Sequence, residues 1–410
     1  MADPTIRPVT DDEYPAFVTA FIEGFADDVP SETFAEQMRT TLPPERTLAA
    51  FDGDAIVGTF GGYALDVTVP GGATVPMEGT TVVTVFPTHR RMGLLRSMMS
   101  SHLANAAGAG YAIAGLWASE SDIYGRFGYG TATRYQSYEL KTSGVAFRPE
   151  VAVDRVRRIA PGDAHGILSE VFDSVLSQRP GMFARSLAWW DHEVLADEEW
   201  MRRGRSTKRY VVHDGPDGPD GYAIYRTKPS ESEDNHADGK VDVIELVAAT
   251  PRAHASLWSY ITQVDMCPNI RSWNVPLDDP LPAKVRESRR IRTSAVSDGL
   301  WIRVLDVRSA LGARRYEVDG SIVVEISDPF RPETGGRYRL EVDGGRPDVA
   351  TTDVRPDVSC DIDVLGGLYL GGGDAFALAD AGRIVGDAEA VTRLHQVFRT
   401  DTMPWCNQVF

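Results

Sequence analysis

Residues 82–99 read VVTVFPTHRRMGLLRSMM, from Val82 to Met99. Val82, Val83 and Val85 make a β-branched run that predicts a strand. Pro87 ends it, because proline has no N–H to offer a ladder. Arg90 and Arg91 then lead to Gly93, after which Leu94, Leu95, Met98 and Met99 recur at helical spacing. A strand, a basic turn and a helix start follow one another. The free N–H groups and positive dipole end of a helix N-terminus suit an anion such as phosphate. Gly93 removes a side chain where an anion would approach the backbone. The stretch carries neither the G-x-x-x-x-G-K-[ST] loop nor the G-x-G-x-x-G fingerprint of nucleotide sites.

Upstream, residues 10–38 predict one helix, with Asp11, Asp12 and Glu13 at its start and Phe17, Phe21 and Phe25 along one side. Glu23, Asp27 and Asp28 lie on it, either as a solvated face or as one wall of an amine pocket. Strands at 47–51 and 55–65 flank the turn Asp52-Gly53-Asp54. A third, 66–70, leads to Pro70-Gly71-Gly72. Downstream, 111–117 predicts a strand, followed by Ser119, Glu120 and the run Ile123-Tyr124-Gly125-Arg126-Phe127-Gly128-Tyr129-Gly130.

Further along, Val247-Ala248-Ala249-Thr250-Pro251 with Leu257 and Trp258 repeats the strand–proline–helix order of the opening stretch. Aligned on the prolines, Arg90 meets His254, Arg91 meets Ala255 and Gly93 meets Leu257. The second copy lacks the arginines and the glycine, so it predicts a similar domain without a phosphate site. Trp189, Trp190 and Phe183 read as its core. Residues 215–221 and 230–239 read as surface loops. From about residue 295 the pattern changes to short strands at 318–326 and 337–342, with helices at 364–370 and 375–381.

Arg90-x-x-Gly93-x-Leu95 resembles the coenzyme-A-binding turn of the GNAT acetyltransferases, departing at Leu95, where that motif usually has glycine or alanine. Tyr124-x-x-x-Gly128-Tyr129 is similar to a second GNAT signature. The runs T-H-R-R-x-G-L-L-R and S-E-x-x-I-Y-G-R-F-G-Y-G, with Asp278-Asp279-Pro280-Leu281-Pro282, Asp298-Gly299-Leu300-Trp301-Ile302-Arg303 and Leu365-Gly366-Gly367-Leu368-Tyr369, resemble the enhanced intracellular survival (Eis) family of GNAT acetyltransferases over nearly the whole chain. The resemblance implies an α+β/αβ fold of two tandem GNAT-like domains, the second degenerate, plus a C-terminal sterol-carrier-protein-like domain. The boundaries are set at 1–146, 147–294 and 295–410.

The resemblance also implies an acyltransferase using acetyl-CoA as co-substrate, with an aminoglycoside, polyamine or lysine-type amine as acceptor. Arg90, Arg91, Met92, Gly93, Leu94, Leu95 and Arg96 would hold the pyrophosphate. Val83, Thr84 and Val85 would pair with the pantetheine arm like an added strand, and Ser119 and Glu120 would complete that site. Tyr124 would protonate the leaving thiolate, and the C-terminal carboxylate of Phe410 would serve as base. Asp27 and Val82 would face the substrate. Two positions depart from the best-known members: Val409 stands for an acidic residue and Val82 for an aromatic one. The family implies a homo-oligomer, a hexamer.

The formal net charge of −17 argues against a nucleic-acid partner and suits a cationic substrate. No apolar run is long enough to span a membrane, and the N-terminus lacks a basic-then-apolar signal, so a cytoplasmic protein without membrane partner is expected. Three scattered cysteines, Cys267, Cys360 and Cys406, form neither a disulfide framework nor a metal site, and no metal is expected. The competing reading is a non-catalytic lipid- or ligand-binding protein acting through its C-terminal domain, or an acyltransferase with another acyl-CoA donor.

Overall fold

The computed structural model describes residues 4–28, 32–232 and 236–410. They form two compact units, one of the described residues up to 133 with 299–404 and 408–410, the other of those from 134 to 298 with 405–407.

The first unit opens with β1 (Thr5–Arg7), α1 (Tyr14–Gly24), α2 (Glu32–Thr41), β2 (Thr47–Asp52), β3 (Ala55–Thr68), β4 (Thr74–Val85), α3 (Leu94–Gly108), β5 (Ile113–Trp117), α4 (Ser121–Tyr124) and β6 (Gly130–Thr131). The expected single helix over 10–38 is two helices. The Phe25 N–H bonds back to Phe21 and Ile22, and Ala26 takes a left-handed φ of 57°, which ends α1. Residues 29–31 lie outside the described residues. The two strands expected over 55–65 and 66–70 are the single strand β3. Helix α3 buries Met98, Met99 and Leu103 against Phe60, Ala114 and Leu116 of the sheet. This apolar face is what fixes the helix on the strands.

The first sheet runs β1-β2-β3-β4-β5-β14-β6, where β14 is Leu300–Val304. That strand, assigned from sequence to the third domain, completes the first sheet by pairing with β5 and β6. The C-terminal module adds β15 (Gly320–Ser327), β16 (Gly336–Asp343), β17 (Arg346–Thr351), β18 (Val358–Asp361) and β19 (Ile384–Gly386) in the order β17-β16-β15-β18-β19. Its helix Ile362–Leu368 lies directly on β6 and β14. A side-chain carbon on Gly130 would strike the Asp363 carbonyl, and one on Gly366 the Ile302 carbonyl. Both glycines permit backbone-to-backbone approach. Arg303 of β14, fully buried, donates to Asp328 at 2.5 Å.

The second unit holds β7 (Arg134–Lys141), β8 (Val156–Ile159), β9 (Arg209–Gly215), β10 (Gly218–Lys228), β11 (Lys240–Ala248), β12 (Asn269–Pro276) and β13 (Arg292–Asp298), in the order β13-β7-β12-β11-β10-β9-β8. Strand β7, assigned from sequence to the first domain, therefore belongs to the second sheet, and β13 extends that sheet past residue 294. Trp189, Trp190 and Phe183 are buried. The expected loop 215–221 is a tight hairpin, with Gly215 paired to Gly218. Part of the expected loop 230–239 lies outside the described residues.

The helix Pro251–Ile261 of this unit begins at its proline, with the Thr250 hydroxyl accepting from the Ala253 N–H at 3.1 Å. Its first turn is thus capped from within. His254 lies inside the helix and bonds Asp279 at 2.9 Å, and Leu257 is fully buried. Trp405–Asn407 counts with this unit: Trp405 Nε1 donates to Asn274 at 2.6 Å and Asn407 Nδ2 to Glu245 at 3.0 Å.

Candidate active site

The site is organised by the end of β4. On its β3 side, Thr59 faces Thr84 and Gly61 faces Thr81, so Val82 and Val83 together oppose the single residue Phe60. This is a β-bulge, and Val82 takes a left-handed φ of 47°, a costly conformation for a β-branched residue. Thr59 Oγ1 donates to the Val82 carbonyl at 2.7 Å and lies 2.7 Å from Thr84 Oγ1, which holds the bulge in shape. On the other side, β4 pairs with β5 only over Met77–Gly79 against Ile113–Gly115. Beyond Gly79 the two parallel strands part. Val83, Thr84 and Val85 lie along this opening, where an extended ligand could add as a strand.

The turn at the end of β4 begins with a short 3₁₀ segment, Pro87–His89, fastened by His89 Nε2 to Asp52 at 3.2 Å. Arg91 and Gly93 both take positive φ, 67° and 81°. Two left-handed residues in so short a turn curl the chain and bring its N–H groups to one side, as in anion nests. Gly93 caps α3, and a side-chain carbon there would meet nothing within 4 Å. The N–H groups of Leu94, Leu95 and Arg96 fall in the first turn, where no intrahelical acceptor exists. Arg90, Arg91 and Met92 are exposed, and among the described residues neither guanidinium has an ion-pair partner. Arg96 stands instead over the Phe330 ring, 4.9 Å from its centroid. These residues fit a diphosphate.

Tyr124 ends α4 and is buried, its ring edge-on to Tyr129 at 6.2 Å. Burial pushes its phenol above the ordinary tyrosine value, against a bond from Ser119, with Glu120 adding to the rise. It is a protonated donor at neutral pH. Ser119 and Glu120 are both exposed at the end of β5.

Phe410 reaches β4 from the opposite face. A side-chain carbon on Gly79 would lie 3.2 Å from its ring, which packs edge-on to Tyr63 at 6.3 Å. Gly79 and Thr80 are neighbours on one strand and so point to opposite faces. Thr80 bonds Tyr129 at 2.8 Å, and Tyr129 packs on Tyr124. Tyr124 and Phe410 therefore flank β4 from its two faces where it parts from β5. Val409 is exposed. Asp27 follows α1, whose last residue Gly24 lies so close to β4 that a side-chain carbon would come within 2.7 Å of Thr84. Asp27 is exposed, with its carboxylate accepting from the Asp28 N–H at 3.0 Å.

Sequence reasoning missed a buried polar chain behind this strand. Arg46 pairs with Glu78 at 2.5 Å, Glu78 lies 3.8 Å from His102 Nε2, and His102 bonds Thr80 Oγ1 at 3.0 Å, which meets Tyr129. Burial and the nearby Arg46 pull the His102 pKa down to about 3, so His102 and Glu78 are neighbours rather than an ion pair. The available signal was Glu78 set in an apolar strand and His102 on the buried side of α3. Among the described residues no group of three His, Cys, Asp or Glu side chains could hold a metal ion. No helix among them is long and apolar enough to cross a membrane.

Residues 5–132 and 181–308 each match an acetyltransferase (GNAT) domain, and 307–407 match a sterol carrier protein domain. The N-acetyltransferase Eis of Mycobacterium tuberculosis is 34% identical over 410 residues, covering 97% of both chains. An uncharacterized N-acetyltransferase of Streptomyces avermitilis is 34% identical over 403 residues, covering 98% of both. The crystal structure of Eis1 from Mycobacterium abscessus superposes with a TM-score of 0.85 at 29% identity, covering 99% of this chain and 100% of that one. With identity running through both GNAT domains and the C-terminal module, the chain belongs to the Eis family of GNAT N-acetyltransferases.

Proposed function

We propose that the enzyme moves an acetyl group from acetyl-CoA to the amine of a cationic acceptor at the opening between β4 and β5. The observation that carries this reading is the parting of the two strands beyond Gly79, with the left-handed turn Arg91–Gly93 at one end and Tyr124 and Phe410 on either face. The N–H groups of Arg91 to Leu95 bind the pyrophosphate, assisted by the Arg90 and Arg91 guanidinium groups. Val83, Thr84 and Val85 align the pantetheine arm, with Ser119 and Glu120 beside it, and a backbone N–H of the bulged strand polarises the thioester carbonyl.

An ammonium of pKa about 10 has no lone pair and must lose a proton before it can attack. The Phe410 α-carboxylate attracts the cation and accepts that proton. The new C–N bond forms as the C–S bond breaks, Tyr124 donates its proton to the leaving thiolate, and the nitrogen's second proton is lost through solvent, which also restores the phenol. The phenol is protonated at working pH, as the role requires, and burial makes it a weaker acid than an exposed tyrosine. Asp27 and Val82 line the acceptor side, and aminoglycosides, polyamines and lysine side chains are the acceptor classes. The assembly is a homo-oligomer, a hexamer by family resemblance, which light scattering tests.

The deciding experiment is an acceptor screen with acetyl-CoA across those three classes. Acetylation of at least one cationic amine is expected. Turnover only with a longer acyl-CoA, or none with any cationic amine, overturns the proposal.

A further inference from the structure

In a chain of net charge −17 with five lysines, three of the five line one cleft of the second unit. The cleft has a volume of about 740 Å³, within the range of small-molecule sites. It is built by strand register. Lys228 of β10 stands directly opposite Lys240 of β11, Lys240 is in register with Asn269 of β12, and Asn269 with Lys141 of β7. Residues in register on neighbouring strands share a face, and strands lie about 4.8 Å apart, so this row extends about 14 Å. One step along the same face, Arg271 is in register with Glu139, and Arg289 and Arg290 close the rim.

Like charges directly opposite on paired strands repel. Among the described residues two carboxylates line the cleft: Glu139 pairs with Arg292, and Asp238 accepts from the neutral Asn269 Nδ2 at 2.8 Å. Asp238, the one of them without an ion-pair partner, stands against this charge. Asp242, in register with Arg271, pairs with Arg205. Among the described residues, Lys141, Lys228, Lys240, Arg271, Arg289 and Arg290 have no ion-pair partner.

We propose that this cleft is a binding site for a small anion carrying several linked phosphates, an oligophosphate or a nucleoside polyphosphate. Lysine supplies mobile point charges to phosphate and arginine a two-pronged donor, and both are present. The acidic remainder of the chain repels any polyanion longer than the cleft, which selects a compact ligand over a nucleic acid. The site belongs to the second unit and the acetyl-transfer residues to the first, and its sheet carries a strand–proline–helix copy that has no phosphate turn.

The test is calorimetric titration of the full-length protein, saturated with coenzyme A to block the Arg90–Gly93 turn, with inorganic tripolyphosphate and separately with ATP. One ion per chain is expected, with affinity falling as salt rises. The triple variant Lys228→Gln/Lys240→Gln/Arg271→Gln, exposed at all three positions, should keep its melting temperature and coenzyme A affinity and weaken tripolyphosphate at least tenfold. Equal affinity for the two probes supports an oligophosphate ligand, and tighter ATP supports a nucleotide. No binding overturns the proposal, as does binding unchanged in the triple variant. Tighter binding of a short single-stranded oligonucleotide, or salt-sensitive self-association abolished by the variant, overturns it in favour of nucleic acid or a second copy.

Discussion

Thr59 Oγ1 donates to the carbonyl of Val82, 2.7 Å away, and Val82 is the residue whose left-handed backbone creates the bulge in β4. A threonine on one strand thus holds the strained residue of the next. Thr59→Val keeps the shape and removes the donor, leaving a buried carbonyl without its partner. That costs about 1–3 kcal/mol. The melting temperature should fall accordingly. If the bulge aims N–H groups at the thioester, as proposed, kcat should fall further than the stability loss alone accounts for. A variant with wild-type kcat would separate the bulge from catalysis.

Gly93→Asp should abolish coenzyme A binding while the fold survives. The space where the new side chain stands is open, so nothing clashes. The cost is backbone strain at φ 81°, about 1–2 kcal/mol. The added carboxylate would lie at the proposed pyrophosphate position. Calorimetry with normal cofactor affinity in this variant would remove the turn from the site.

These two glimpses of the site differ in how readable they were. The strand, the arginine turn and the helix start lie within eighteen consecutive positions, and their chemistry is local, so the sequence displays them. The bulge is not displayed, since valine gives no hint of a positive φ. The memberships of β7 and β14 were misread for a related reason. Strand pairing is non-local, and Leu300–Val304 carries the same apolar run whether it opens a third domain or closes the first sheet. Gly128, Gly130, Gly366 and Gly367 were read as separate family signatures. In the structure Gly130 and Gly366 are the two sides of one helix–sheet contact.

His102 makes a pH prediction. Its folded pKa lies at about 3, below the ordinary 6.5, through burial first and Arg46 second. The unfolded chain therefore binds that proton first. The contribution to stability is fully present above about pH 6.5 and is lost as the pH falls toward 3. The loss runs at about 1.4 kcal/mol per pH unit within that window. Glu78, raised by burial, acts in the opposite sense, so the comparison must be with His102→Gln, which leaves Glu78 in place. Denaturant melts from pH 7 to 4 should show a shallower acid loss in the variant. Parallel curves would mean that His102 does not titrate as its burial requires.

Tyr124→Phe keeps the ring that packs on Tyr129 and removes the phenol. Loss of a general acid should lower kcat by about 10²–10⁴ with little change in coenzyme A affinity. The wild-type alkaline limb should lie above the ordinary tyrosine pKa, because burial disfavours the phenolate. Stability linked to this group is present below that ordinary value and declines as the pH rises past it. A phenylalanine variant with full turnover would assign the proton to another donor.

The C-terminus gives the sharpest test, because it sets chemistry against packing in a single residue. The Phe410 ring rests against Gly79 and Tyr63, on the face of β4 opposite Thr80. Adding a C-terminal tag converts the α-carboxylate to an amide while the ring can stay where it is. Deleting Phe410 removes the ring and draws the carboxylate back by up to about 3.5 Å. If the carboxylate takes the amine's proton, both changes should cut kcat strongly, since near-attack geometry tolerates far less displacement. Coenzyme A affinity should hold in both, because the turn at Arg91–Gly93 makes its own contacts. If Phe410 only fills space, the tagged protein should turn over normally and the deletion should lose melting temperature without losing chemistry. Phe410→Leu completes the comparison. It keeps the carboxylate at the same chain position with a smaller side chain, so it should retain most turnover under the catalytic reading, and full activity of the tagged form would end that reading.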